Sequence, residues 1–478
     1  MLQPNLHIIP LRAAIPAHQS SILDVLVRVV PPEIVSPYSS ASEERLAARE
    51  RSIVDDDVVR LHHRLNLSLV IDRSSSMASQ QRLLFAKAAA RHIVQHLSPH
   101  DRVSVVTFDR HPQVLVPSTF VDDPVSIIQT IQGIKVGKWT NLHGGWIEGG
   151  EQINRHIYPD TVNRIILLTD GWVSAGVKNR STIISHVQEM AQVGITTTSV
   201  GVGNRYNEDL LEAIAIQGDG NYYYINTPSQ LPKAFEREML ALIATVGQQV
   251  TLDIQPQGDV EIEDVLNDLE LTRQGRFKLP NLVSGFTFNL VMRLKVPAID
   301  PKNTAEYAEY VAGRDTCNNQ ARQRRLDYLA RLCQFRLHWQ PVSAMTQLSR
   351  HQAIKTTLTL PLMVAQQIER SRCNPDVEQN IALMLAARLK RQAMALADRK
   401  DYDAAQVKLQ KAKAIILNTP QSQSLELEVV ALEALETDLR SRQLHQFRKR
   451  SHHESYQAST GFDQQSGILG YGDRSSFN

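Results

Sequence analysis

Leu65-Asn-Leu-Ser-Leu-Val-Ile71 runs straight into Asp72-Arg-Ser74-Ser-Ser76, and the reading of this junction decides the fold. A short, mostly apolar run of this kind is the signature of a buried parallel strand. A second such run, residues 165–168, is followed after one residue by Asp170. Open α/β sheets gather their ligands in the crevice beyond the carboxyl ends of the strands. Two carboxylates and a set of hydroxyls delivered to that crevice make a small, oxygen-only site. Such a donor set suits Mg2+ or Mn2+.

Working outward, strand-like and helix-like segments alternate from residue 65 to about 245. Strands are expected over 65–71, 103–108, 113–116, 165–168, 196–202 and 222–225. Helices are expected over 81–97, 124–134, 144–157, 182–193, 208–217 and 228–242. The alternation implies a doubly wound, mostly parallel sheet with helices on both faces. The flanks differ: 20–30 before this unit and 246–296 after it show β-branched alternation, with further strand candidates at 335–339 and 356–362. A β-sandwich built from both sides, with the α/β unit inserted in it, is the simplest account. The expected division is therefore 1–60 for N-terminal strands and connector, 62–245 for the α/β domain and 246–365 for the sandwich. Residues 375–450 follow as a helical hairpin with a third helix, and 451–478 as a disordered tail. Residues 31–60 and 297–318 read as connectors. Around Ala387, Ala393, Tyr402 and Ala412 the pattern resembles one tetratricopeptide helix–turn–helix, and a single unit does not make a solenoid.

With 478 residues the chain exceeds what one core normally serves, so two or three domains are expected. A hydrophobic content of 42% and a charged content of 21% are ordinary for a globular protein, and the formal charge of +2 gives no case for nucleic acid or a membrane surface. Cys317, Cys333 and Cys373 are odd in number and widely spaced, so they suggest thiols in a reducing compartment rather than a disulfide framework or a zinc motif. The first residues lack a signal-peptide pattern. No stretch approaches the roughly 18 apolar residues of a membrane span. A cytoplasmic protein is expected.

Asp72-Arg-Ser74-Ser-Ser76-Met77 resembles the Asp-x-Ser-x-Ser motif of von Willebrand factor A (VWA) domains, which have a Rossmann-like fold. Trp139-Thr140-Asn141 is similar to the family's second-loop threonine motif, and Thr169-Asp170-Gly171 to its third-loop aspartate. The resemblance covers roughly residues 62–245 and points to the bacterial intracellular type. It implies a metal-ion-dependent adhesion site, with Ser74 and Ser76 as hydroxyl ligands and Thr140 binding directly or through water. Asp72 and Asp170 would act from behind, through water and by orienting the serines. Neutral hydroxyl ligands leave the cation's charge open to a carboxylate from another protein. Ser75 stands where many members have glycine, and Trp139 where a small residue is common.

The implied function is a non-enzymatic, metal-dependent protein–protein interaction module gripping an acidic side chain of a partner. By analogy alone, that partner is an AAA ATPase or a kinase. The runner-up is an accessory subunit of an AAA ATPase in a chelatase-like assembly, and a third reading is a regulator of transport. In the bland reading of the same residues, Ser76 or Ser79 merely caps the following helix. Other chemistries fare worse. Residues 133–140 miss the phosphate-loop spacing, 201–206 lack the third glycine of a dinucleotide loop, and neither Gly-x-Ser-x-Gly nor His-Glu-x-x-His occurs. Trp139 and Trp172 are expected to pack in their loops, the alternative being that Trp139 narrows the site or forms an aromatic rim with Trp172. The pairs His62-His63 and His452-His453, and the basic run 440–450, are expected to be solvated surface.

Overall fold

Three strands, β1 (Asn5–Pro10), β2 (Ile15–Pro16) and β3 (Ser21–Val30), precede the α/β unit in a computed structural model that describes residues 3–33, 64–158, 161–203, 206–300, 329–342 and 351–459. The unit then runs β4 (Arg64–Asp72), α1 (Arg82–His96), β5 (Arg102–Phe108), β6 (Pro112–Phe120), α2 (Pro124–Gln132) and α3 (Leu142–Asn154). It continues through β7 (Thr161–Thr169), α4 (Arg180–Gln192), β8 (Ile195–Val202), α5 (Glu208–Gln217), β9 (Tyr222–Ile225) and α6 (Leu231–Ile243). Its sheet order is β6-β5-β4-β7-β8-β9, parallel throughout except for the antiparallel β5–β6 edge.

Strand β4 lies at the centre because the chain winds outward from it twice, first to β5 and β6, then to β7, β8 and β9. The carboxyl ends of β4 and β7 therefore border the switch point, where a crevice opens. Leu65, Leu67, Leu69 and Ile71 of β4 join one apolar cluster with α1 and α6, while Val70 joins the opposite cluster with α3 and α4. Both faces are buried, so the strand reads as a nearly continuous apolar run. Among its polar exceptions, Asn66 ties the strand to its neighbours: Nδ2 donates to the Ile153 carbonyl at 3.1 Å and to Asn163 Oδ1 at 2.9 Å.

After α6 the chain enters β10 (Thr245–Pro256), β11 (Glu261–Val265), β12 (Phe277–Lys278), β13 (Leu282–Val283), β14 (Phe288–Val296), β15 (Leu329–Pro341) and β16 (Gln352–Met363). These form two sheets, β1-β3-β14-β11 and β12-β10-β15-β16-β2, with β13 also pairing β10. Both sheets feed one apolar cluster, from Val25, Val27, Leu290 and Met292 on one side to Leu252, Phe335, Leu337 and Leu360 on the other. Strand β3 precedes the α/β unit and its neighbour β14 follows it, so the unit is an insertion between strands of a shared sheet.

The C-terminal part is α7 (Ala365–Glu369), α8 (Pro375–Asp398), α9 (Tyr402–Leu417), α10 (Gln423–Arg440) and α11 (Leu444–Ser459). Val377 and Met384 of α8 lie against Leu26 and Val291 on the outer face of the first sheet. Helix α11 corrects two expectations. It carries the chain in regular structure through Ser451–Ser459, where a tail was expected. It also buries the later part of the basic run: Arg440, Arg442 and His445 are exposed as expected, but Lys449 is 1% exposed, and Ser451, His452 and Tyr456 are buried too. The cause is its neighbour α5. Arg448 pairs with Glu208 and Asp209 at 2.5 Å each, Lys449 with Glu208 at 2.7 Å, and His452 with Glu212 at 2.5 Å. Tyr456 joins the apolar cluster on the α3/α4 face of the parallel sheet, and its hydroxyl donates to the Gly220 carbonyl at 2.9 Å. The connector 34–60, His62-His63 and the tail beyond Ser459 lie outside the described residues, as does nearly all of the connector 297–318.

Candidate metal centre

Asp72 is the last residue of β4, fully buried, and tied on both oxygens. The Ser74 amide donates to Oδ1 at 2.7 Å, and the Thr169 hydroxyl, from the end of β7, donates to Oδ2 at 2.6 Å. Burial raises its carboxyl to about 7, against the pull of the Thr169 and Ser74 donors, and nearby Asp170 pushes the same way. A buried carboxylate in that condition favours a positive charge close by.

The segment after β4 turns sharply. Ser74 is extended (φ −58°, ψ 168°), Ser75–Gln81 forms a 3-10 turn, and Gln80 and Gln81 take positive φ before α1 begins. Ser74 caps nothing with its side chain, and α1 has no side-chain cap. The hydroxyls instead turn toward the crevice. Ser74 Oγ and Ser76 Oγ stand 3.0 Å apart, and Ser76 Oγ donates to Asp170 Oδ1 at 2.6 Å. The capping alternative is therefore not what these serines do. Ser75, outside the positive-φ residues, directs its hydroxyl to the Lys138 carbonyl at 3.3 Å, which ties the first loop to the second.

Thr140 enters from the loop before α3. Its amide donates to Ser174 Oγ at 2.8 Å, and its carbonyl accepts from the Ser174 and Ala175 amides at 3.0 and 3.1 Å. Its main chain is thus pinned while its hydroxyl has no hydrogen-bond partner among the described residues. A Cβ on Gly171 would lie 3.3 Å from Ser76 Oγ and 3.5 Å from Thr140 Oγ1. The glycine leaves open a cradle that a side chain would fill, with a serine and a threonine hydroxyl on its sides.

Asp72, Ser74, Ser76, Thr140 and Asp170 therefore meet at the carboxyl ends of β4 and β7. The donors are three neutral hydroxyls backed by two carboxylates, a set that fits a hard divalent cation better than a soft one. Among the described residues there is no group of three or more His, Cys, Asp and Glu side chains able to hold a metal. A cation here would rest on hydroxyls.

Arg82 is the member that sequence reading missed. Its Nη1 donates to Asp170 Oδ2 at 2.6 Å, with both side chains buried, and its Nη2 donates to Gln80 Oε1 at 3.0 Å. Gly203, after β8, passes so close that a Cβ there would be 2.8 Å from Arg82 Nη2. Trp139 and Trp172, expected to pack in their loops, are instead 48% and 61% exposed. They flank Thr140 and Asp170 in the sequence, and Trp139 lines the groove next to the second loop. The glycines of 201–203 serve packing: Gly201 lies under the Tyr206 ring.

Comparison with known proteins agrees with this geometry. Residues 66–237 match the von Willebrand factor type A domain. The chain is 31% identical to YfbK of Escherichia coli (strain K12), covering 40% of this chain and 33% of that protein. It is also 31% identical to sll0103 of Synechocystis sp., covering 46% and 52%. The chain thus spans between a third and about half of these relatives. In fold, it is similar to the von Willebrand factor type A protein from Catenulispora acidiphila (TM-score 0.62, 13% identity, 92% of this chain and 90% of that one). The ArnB paralog VWA2 from Sulfolobus acidocaldarius is similar over 95% of this chain and 98% of its own, with a TM-score of 0.57 and 17% identity. Motif, sheet order and family match agree that this chain carries a von Willebrand factor type A domain.

Proposed function

We propose that this protein is a non-enzymatic interaction module that holds Mg2+ or Mn2+ through Ser74, Ser76 and Thr140 and there engages an acidic side chain of a partner protein. The observation that carries the reading is the convergence of three hydroxyls on a glycine-lined cradle in front of two buried carboxylates. Domains of this family generally mediate metal-dependent protein–protein interaction, which supports the same reading. When bound, the cation supplies a positive charge open to an oxygen ligand from outside the chain. Ser74, Ser76 and Thr140 present neutral oxygens and leave that charge uncancelled. Asp170 aims the Ser76 hydroxyl and Asp72 fixes the Ser74 backbone. Arg82 shares the charge of Asp170, which weakens that carboxylate as a competitor for the cation.

In this reading residues 62–245 recognise the partner, the two sheets from 1–60 and 246–365 form the sandwich that carries them, and the helices from 375 onward brace the insertion. The thiols of Cys333 and Cys373, both free, support a reducing compartment such as the cytoplasm. No helix among the described residues is long and apolar enough to cross a membrane. An accessory role beside an AAA ATPase would use the same residues, and the identity of the bound protein separates it from a kinase or another signalling partner. The test is capture from lysate on immobilised wild type and Ser74→Ala, in Mg2+ and in EDTA. A protein held in Mg2+, released by EDTA and not captured by the variant is expected. Prey insensitive to EDTA and to the substitution would overturn the reading.

A further inference from the structure

Beside the hydroxyl cradle lies an open groove of about 710 Å³, lined among others by Arg73, Asp109, Arg110, Lys138 and Trp139. It shares two loops with the candidate metal centre: Arg73 lies between Asp72 and Ser74, Lys138 lies two residues before Thr140, and the Ser75 hydroxyl ties the two loops by donating to the Lys138 carbonyl at 3.3 Å. The floor is built for close approach. The Gly137 amide donates to the Arg73 carbonyl at 2.5 Å, and a Cβ on Gly137 would sit 2.3 Å from Asp109 Oδ2. Glycine is what lets this loop lie down on Asp109.

The charges around the groove do not balance. Asp109 is the carboxylate in the lining, and it is already engaged: Arg73 Nη2 lies 3.0 Å from its Oδ2, and the His111 amide donates to its Oδ1 at 3.2 Å. Arg110 and Lys138 are exposed, and neither side chain has a carboxylate partner among the described residues. Once Arg73 and Asp109 cancel, two cationic side chains remain on a rim that leads to the hydroxyl cradle. Trp139 adds a half-exposed flat wall. An extended peptide places alternate side chains on one face at about 7 Å intervals. It can therefore present one carboxylate to the cradle and another to the rim.

We infer that the groove seats an extended acidic segment of the partner, with a second acidic side chain between Arg110 and Lys138 and its stem against Trp139. This rests on the cation-dependent reading above and deepens it, naming the partner's local chemistry. Two unpaired cations are few for a phosphate backbone, which favours a peptide over nucleic acid.

The test uses the full chain in Mg2+ and fluorescence anisotropy with two labelled peptides, hexaglutamate and a Gly/Ser hexapeptide bearing one glutamate. Hexaglutamate should bind about fivefold more tightly, the size that two exposed ion pairs supply, with the difference shrinking in high salt. The double variant Arg110→Gln with Lys138→Gln should lose that preference while keeping single-glutamate binding and, by calorimetry, Mg2+ binding. A double variant that keeps the wild-type preference would overturn the groove assignment and leave the cation site standing. If neither peptide binds wild type in Mg2+, the acidic-partner reading falls and the groove with it. Binding of a labelled single-stranded oligonucleotide more tightly than hexaglutamate in Mg2+, unchanged in EDTA and lost in the double variant, would overturn the proposal in favour of nucleic acid.

Discussion

Arg82 opens helix α1, where a cation opposes the helix dipole and gains nothing locally. Its reason for being there is Asp170, with which it forms a buried pair at 2.6 Å. Breaking such a pair leaves an uncompensated buried charge, so Arg82→Met should lower stability by about 3 kcal/mol in urea unfolding without divalent cation. Because the orphaned charge would then lie on Asp170, Mg2+ should restore part of the loss. A variant as stable as wild type in EDTA would mean that Asp170 is not held by Arg82. Asp72, Ser74, Ser76, Thr140 and Asp170 were legible in the sequence because each follows a strand or opens a loop in a recognisable motif. Arg82 was not, because its partner lies 88 positions away and nothing local marks the pair. A basic residue in the first turn of an expected helix, where it opposes the dipole, was the one available signal.

At the scale of elements, helix α11 is held by charge. His452 faces Asp209 and Glu212 of α5, at 3.1 and 2.5 Å, with Arg448 and Lys449 one turn earlier on its own helix and Arg391 of α8 reaching Glu212 at 3.8 Å. Burial opposes the protonated form, but the two carboxylates more than offset it, and the imidazole is raised to about 9. Since the folded value exceeds the unfolded one of about 6.5, the stabilisation is fully present below about pH 6.5 and is lost as pH rises through about 9. Wild type should therefore lose on the order of 2 kcal/mol between pH 6 and pH 9.5 that His452→Gln does not lose, read from denaturant midpoints at both pH values. Parallel pH profiles would exclude the pair as a source of stability. The helical character of this region was readable from its periodicity. Its burial was not, because a basic run at a helix end has the same composition whether it faces water or the acidic face of α5 some 240 residues earlier. The short strands β1 and β2 were missed for a related reason: they exist through pairing with β3 and β16 rather than through a pattern of their own.

In the whole molecule, the α/β unit is joined to the rest of the described chain where α6 runs into β10 and where α11 packs on it. Helix α6 passes through Ala244 directly into β10, and its buried Glu238 accepts from Thr198 Oγ1 at 2.5 Å, Asn221 Nδ2 at 2.8 Å and the Tyr223 hydroxyl at 3.0 Å. On the other side Tyr456 of α11 completes one of the unit's apolar clusters. These joins should couple the parts. Scanning calorimetry of the full chain should show one transition, and truncation after Gln443 should separate from it a lower transition for the α/β unit. A truncated chain melting as the full one does would show the parts to be independent. The insertion itself was legible, since β-alternation flanks the α/β pattern on both sides. The packing of α11 on it was not, because it depends on contacts between segments far apart in the chain.

The account turns on the hydroxyl cradle, and calorimetric titration of Mg2+ and Mn2+ into wild type and Ser74→Ala tests it most directly. Ser74 is a cleaner choice than Asp170, whose loss would also orphan Arg82; the Ser74 hydroxyl engages Ser76 and Asp72, both within the site itself. The account predicts one saturable cation site in wild type, absent or at least tenfold weaker in a Ser74→Ala variant of unchanged circular dichroism, since one of three hydroxyl ligands is gone. Equal cation binding by both proteins, or none by wild type, would contradict it.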